Sequence, residues 1–247
     1  MMKAMVFAAG VGRRLHPLTG HTPKALVAVG GYPMIWHVLN KLRRAGVTRV
    51  VVNIHHHAGQ MRAYLGGLRL RGLSIDLSDE SGQLMDTGGG LLKASPFLEG
   101  DHPFFLYNVD VLSDISLVHM LEQHMRRRPL ATLAVSRRLT SRYLLWHEGR
   151  LAGWENSSTG RRLVAGDPGG GEPEAMAFSG IHIVEPRIFP LISEQGPFAI
   201  RDLYLRLAAE HPIMPYVHDH RYWADMGSPE KLENARQMYQ RSPQRFD

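Results

Sequence analysis

Lys3-Ala4-Met5-Val6-Phe7-Ala8-Ala9-Gly10-Val11-Gly12-Arg13-Arg14-Leu15-His16-Pro17-Leu18-Thr19 is the stretch whose reading decides the fold. Residues 3–8 form an apolar run that stops near a glycine, as a buried strand does. Gly10 and Gly12 then permit close backbone approach and can turn amide N–H groups toward an anion. A glycine-rich turn after a first parallel strand lies at the carboxyl edge of the sheet, where open α/β folds bind ligands. Two familiar phosphate loops fail here. The dinucleotide pattern needs glycine where Leu15 stands, and a P-loop needs a Gly-Lys-Ser/Thr that does not follow. Pro17 opposes a helix through this segment, so an extended loop is expected. Lys24, after Pro23, comes within reach of the same edge.

Outward from this loop, strand and helix patterns alternate. Residues 33–45 carry apolar side chains at Met34, Ile35, Val38, Leu39 and Leu42, a helical period, and end at Gly46. Residues 49–54 read as a strand, 59–65 as a short helix, 73–77 as a strand, 88–94 as the start of a helix and 104–109 as a strand. Strands separated by helices imply βαβ units and a mostly parallel sheet covered on both faces. The second half reads as a strand at 131–136, an antiparallel hairpin from 143–146 and 151–155, a Gly/Pro-rich loop at 166–174, and a strand at 177–184. Helices follow at 200–210 and 229–240. The fold class expected is α/β, a Rossmann-like sheet with helices on both faces and a small antiparallel extension. One domain over residues 1–247 is the simplest organisation, with a nucleotide-binding half at 1–112 and an acceptor-binding half at 113–247.

The 247 residues are 44% hydrophobic and 21% charged, which suits a globular chain. No cysteine is present. Disulfides, thiolate metal sites and a cysteine nucleophile are thereby excluded. No segment is long and apolar enough for a signal region or a span, so a soluble cytoplasmic protein with no membrane partner is expected. The net charge of +6 fits a handler of small polyanions. A basic stripe with interleaved aromatics is missing, so nucleic acid is not an expected partner.

Two further segments carry chemistry. Ser81-Gly82-Gln83-Leu84-Met85-Asp86-Thr87-Gly88-Gly89-Gly90 places three glycines at a helix start. A plain helix entry with Thr87 as N-cap would account for it, as would a flat backbone surface for a nucleobase. Residues 104–110 form an apolar strand that ends in Asp110, at the same edge as the glycine loop. Magnesium prefers one or two carboxylates plus phosphate oxygens. Asp114 is the better cap for the helix after it. Near the C-terminus, Tyr222-Trp223-Ala224-Asp225-Met226-Gly227-Ser228-Pro229 gives Ser228 and Pro229 the capping positions, leaving Asp225 without that duty. His55-His56-His57 reads as a strand-end loop, since adjacent side chains on an extended segment diverge.

Gly10, Gly12, Arg14, Pro17, Thr19 and the Pro23-Lys24 pair resemble the signature of the sugar-phosphate nucleotidyltransferases, the NDP-sugar pyrophosphorylase type. The resemblance covers nearly the whole length and is closest to the short N-acetylmuramate 1-phosphate uridylyltransferase-like subgroup. It implies a reaction joining a sugar 1-phosphate to an NTP, with release of pyrophosphate. Arg14 and Lys24 would contact phosphates and stabilise transition-state charge, with Ala9, Gly10 and Gly12 wrapping the triphosphate. Thr87, Gly88 and Gly89 would lie at the base. Asp110 and Asp225 would hold Mg²⁺, and Asn108, Glu174 and Gly180 would contact the sugar. The Glu-Lys-Pro acceptor clamp of longer relatives is missing. A cytidylyl- or guanylyltransferase on mannose 1-phosphate or phosphocholine, or a non-catalytic nucleotide-sugar-binding module, are the alternatives. A monomer or homodimer is expected.

Overall fold

The structure, a computed structural model, describes residues 1–165 and 171–246. The opening run becomes β1 (Lys3–Phe7). Two-residue strands β2 (Ala28–Val29) and β3 (Tyr32–Pro33) lead to α1 (Met34–Arg44) and β4 (Arg49–Ile54). Then come α2 (Ala58–Gly67), β5 (Ser74–Asp79), α3 (Asp86–Leu98) and β6 (Phe104–Asn108). β6, β1, β4 and β5 lie side by side in that order, all parallel. The chain moves outward from β1 through β4 and β5, then returns to the other side of β1 as β6. Ligands bind at the carboxyl ends of strands where the order reverses. Phe7 stands opposite both Asn53 and Asn108. The glycine loop, the end of β4 and residues 108–110 therefore share one edge.

Alternate residues of these strands feed two separate cores. Ala4, Val6, Val50, Val52, Phe105 and Tyr107 pack with α1 and α2, against Ile35, Leu39, Leu42 and Met61. Met5, Val51, Phe104 and Leu106 face the other way, onto Leu91, Ala94 and Leu98 of α3. Successive side chains of a strand point to opposite faces. A strand apolar in both phases must be covered on both sides, which is why the run reads as continuous rather than alternating.

The second half adds β7 (Val111–Ser113), α4 (Leu117–Arg127), β8 (Ala131–Ser136), β9 (Arg142–His147), β10 (Arg150–Asn156) and β11 (Arg161–Val164). β12 (Glu174–Val184), α5 (Ile200–Leu207), β13 (Ile213–Val217), β14 (Trp223–Asp225) and α6 (Pro229–Arg241) complete it. β12 continues the sheet antiparallel to β6 and also pairs with β8 and β9. The expected hairpin forms as β9 and β10, with β11 added to it. The sheet is thus mostly parallel at its centre, with an antiparallel extension. The expected loop at 166–174 lies in its first five residues outside the described residues, and Glu174 already belongs to β12.

Three local expectations are corrected. The glycine loop is not extended throughout: Arg13–Leu15 makes one 3₁₀ turn, entered through Gly12 in the left-handed region. Thr87 does not cap α3, which starts at Asp86; its hydroxyl instead accepts from the Ile200 N–H at 3.0 Å. The cap of α4 is Ser116, whose hydroxyl accepts from His119 N–H. Asp114 is occupied by the Tyr222 N–H and the Arg245 guanidinium.

β12 slips against β8 between Phe178 and His182, with two extra residues on β12. Gly180 lies in that bulge with φ 74. A Cβ there would stand 2.9 Å from Asn108 Nδ2 and from Val111 Cγ2. Gly180→Ala therefore meets a left-handed backbone cost of about 1–2 kcal/mol plus overpacking of about 1–3 kcal/mol. Urea unfolding should show a loss of about 2–5 kcal/mol from the two together. A variant as stable as the parent would contradict this account of the bulge.

Candidate active site

The first glycine loop is anchored from beneath. The Ala8 and Ala9 amides donate to Asn53 Oδ1 at 2.6 and 3.2 Å. Asn53 Nδ2 donates to Glu80 Oε1 at 2.8 Å, and Glu80 Oε2 accepts from the Met85 N–H at 3.0 Å. Glu80 is fully buried and Asn53 nearly so. Buried polar groups persist when paired, and this chain of pairs links the glycine loop to the entry of α3. Sequence reasoning missed both residues; the signal was an amide inside the β-branched run 50–54. Beyond Gly12, Thr19 Oγ1 donates to the Gly12 carbonyl at 2.9 Å, and buried Leu15 pins the turn. Arg14 is left exposed beside a cavity.

β7 and β14 pair antiparallel and set Asp225 opposite Val111. The Met226 N–H donates to the Asp110 carbonyl at 2.8 Å. Asp110 and Asp225, far apart in sequence, therefore become neighbours. Lys24 pairs with Asp110, and Lys231 of α6 reaches Asp225 Oδ2 at 3.0 Å. The Gly227 N–H donates to Asp225 Oδ1 at 2.8 Å. A Cβ on Gly227 would stand 2.6 Å from both the Arg14 guanidinium and Asp225 Oδ1, so glycine lets those two groups approach. Burial pushes the Asp225 carboxyl upward. The hydrogen bond and charge of Lys231, with the charges of Lys24 and Arg14, outweigh that and hold it below the usual carboxylate range.

A cavity of about 930 Å³ opens beside this charged cluster. Among the described residues, its lining takes Arg14, Asn108, Asp110 and Val111 from the first half and the rest from position 133 onward, so the cavity lies where the two halves meet. Asn108, Asp110, Asp225 and Gly180 line it together, which unites the predicted metal residues with two of the predicted sugar contacts. Glu174 is not brought there. It is exposed at the start of β12, and its carboxylate is held by Arg137 Nε at 2.6 Å.

Gly88 and Gly89 do not present the flat surface expected of them. Both amides donate to the Phe198 carbonyl, at 2.8 and 3.3 Å. The space a Cβ would fill is taken by the Phe198 ring at Gly88 and by the Gly196 carbonyl at Gly89. These glycines admit the 196–200 segment against α3, which is a packing duty. His55, at the exit of β4, has its Nδ1 on the Glu80 carbonyl, so the histidine run closes a loop.

Arg138 was not foreseen. It stacks on Trp223 at 3.7 Å and donates to Ser136 Oγ, the Ala177 and Phe178 carbonyls and Ser179 Oγ. Burial pushes its pKa down to about 10. So many bonds to one bulge make it a strut that holds β12 in its slipped register, with Trp223 Nε1 donating to the Ser179 carbonyl at 2.8 Å. Nothing in the run Ser136-Arg137-Arg138-Leu139 distinguishes this arginine from a solvated one.

The residue pattern has counterparts. The Nucleotidyl transferase family matches residues 3–147. An N-acetylmuramate alpha-1-phosphate uridylyltransferase of Caulobacter vibrioides is 33% identical over 92% of this chain and 92% of its own length. One of Neisseria meningitidis is 44% identical over 46% of this chain and 49% of its own. A mannose-1-phosphate guanylyltransferase of Mycobacterium tuberculosis is 28% identical over 92% of this chain and 61% of its own. The solved UDP-glucose pyrophosphorylase from Acinetobacter baumanii shares the fold with a TM-score of 0.79, at 17% identity, covering 97% of this chain and 93% of that one. On this sequence match and this fold, the chain belongs to the nucleotidyl transferase family and is an enzyme of the sugar 1-phosphate nucleotidyltransferase type.

Proposed function

We propose that the enzyme transfers a uridylyl group from UTP to N-acetylmuramate 1-phosphate, in the cytoplasm, with Mg²⁺ held by Asp110 and Asp225. The observation that carries this reading is the meeting of the two aspartates with Lys24, Arg14 and Lys231 beside a cavity lined from both halves. The base and sugar follow the Caulobacter and Neisseria relatives. Among the described residues no helix is long and apolar enough to cross a membrane, and the absence of cysteine suits a reducing compartment.

The donor set fits magnesium. Two carboxylates brought side by side are what such an ion takes from a protein when phosphates supply the rest. Among the described residues no group of three or more His, Asp or Glu competes as a dedicated metal cage. When bound, the ion would neutralise phosphate charge between the two substrates.

The remaining work belongs to the chain. A sugar 1-phosphate has a second pKa near ~6 and is mostly dianionic at neutral pH, so no base or enzymic nucleophile is required. Its oxygen forms a bond to the α-phosphorus in line as the bond to the bridging oxygen of pyrophosphate breaks. Arg14 and Lys24 stand where the triphosphate must pass and offset charge that accumulates on the leaving group. The Lys24–Asp110 pair keeps that lysine aimed at the site before substrate arrives.

Asp110→Asn should lower turnover by about 10²–10³-fold or more while leaving the thermal midpoint intact. Unchanged activity would sink the metal assignment. Pyrophosphate release with Mg²⁺, measured over UTP, CTP, GTP and ATP against the 1-phosphates of N-acetylmuramate, N-acetylglucosamine, glucose and mannose, should favour UTP with N-acetylmuramate 1-phosphate. A preference for GTP with mannose 1-phosphate would replace this reading with that of the guanylyltransferase relatives.

A further inference from the structure

The cavity is also lined by His182, Tyr204 and Phe178, which the transfer chemistry does not use. His182 and Tyr204 both line it, at 2% and 3% exposure. His182 Nδ1 lies 2.8 Å from the Tyr204 hydroxyl. Phe178, also lining the cavity, meets the imidazole edge-on with ring centroids 4.7 Å apart. The histidine sits just past the Gly180 bulge, so the two extra residues of β12 decide where its ring falls.

The Tyr204 hydroxyl has no other partner among the described residues; when it donates to Nδ1, Nε2 is the N–H of a neutral ring. Burial pushes the His182 pKa down to about 3, so the ring stays uncharged at neutral pH. Among the described residues the sealed side-chain polar atoms without a partner are on Arg43, His57, Ser78, Trp146 and His218. His182 Nε2 is not one of them and has no hydrogen-bond partner among the described residues, while the residue itself lines the cavity.

We propose that His182 is a specificity-determining residue that donates its Nε2–H to an oxygen of the acceptor sugar, with Tyr204 as the positioning residue that fixes the donor tautomer. The inference rests on the reading above that this cavity takes a sugar 1-phosphate. A fixed, neutral, buried donor selects a ring substituent that presents an oxygen lone pair, such as a hydroxyl or an acylamino carbonyl. It works against one that offers only donors, because two donors facing each other are both left unpaired. The aromatic wall around it suits the C–H face of a pyranose.

The test uses the whole chain with N-acetylmuramate 1-phosphate and UTP. His182→Leu removes the donor and should raise the KM for the sugar phosphate about tenfold or more while the KM for UTP stays within about twofold. His182→Gln restores a neutral donor and should recover part of that loss. Tyr204→Phe frees the tautomer and should give a smaller rise in the same constant. Equal changes in both KM values, or none, would overturn the assignment. A second measurement does not depend on turnover. In ¹⁵N spectra of the imidazoles, the His182 Nε2–H signal should shift when the protein is saturated with the sugar phosphate alone. A signal that stays put at saturation overturns the inference, whereas a shift without turnover would count against the transfer reaction instead.

Discussion

Three residue pairs join Val111–Ser113 to Trp223–Asp225, two segments separated by most of the second half of the chain. Without them Asp225 has no route to Asp110. Strand β7 is short because its task is local: it extends the edge where β6 ends and accepts one returning strand. The closing bonds lie at its margins, from Met226 N–H to the Asp110 carbonyl and from Tyr222 N–H to the Asp114 carboxylate. Trp223, in the same strand, carries Arg138 on its ring and donates to the bulge of β12. One ladder thus positions the carboxylate pair, the cavity wall and the bulge together.

The electrostatics follow from that closure. Two carboxylates on one side of a site raise each other's cost of ionisation unless cations stand beside them. Lys24 and Lys231 each engage one of them, and Arg14 approaches Asp225 through the gap left by Gly227. The cations that balance the aspartates are also the groups a triphosphate needs. Metal and substrate would therefore arrive as exchange partners, each releasing what the other requires. The pairing with the aspartates holds these cations in place.

How much of this was legible in the residues depends on range. The central sheet was readable because β1, β4 and β6 are apolar in both phases, and only a strand covered on both faces needs that. The place of Asp110 at the carboxyl edge was readable because it follows such a strand. Asp225 could be suspected only by its freedom from capping and by resemblance, since three-residue strands such as β7 and β14 leave no periodic signal. Gly88 and Gly89 misled because a glycine run admits any close neighbour, and here the neighbour is the chain's own Phe198. Asn53, Glu80, Arg138 and His182 were illegible for a shared reason. Each owes its role to partners that tertiary folding supplies, and polar residues on strands carry no mark of whom they will meet.

The account turns on Asp110 and Asp225 acting as one site, and the direct measurement is the affinity of Mn²⁺, as a magnesium substitute, in the presence of UTP. It would be made for the parent, Asp110→Asn, Asp225→Asn and the double variant. Residues sharing one ion are not additive. The account predicts that either single change removes most of the affinity and that the second adds little. Losses that simply sum, or a single change that leaves binding intact, would mean that the β7–β14 pairing does not build a metal site.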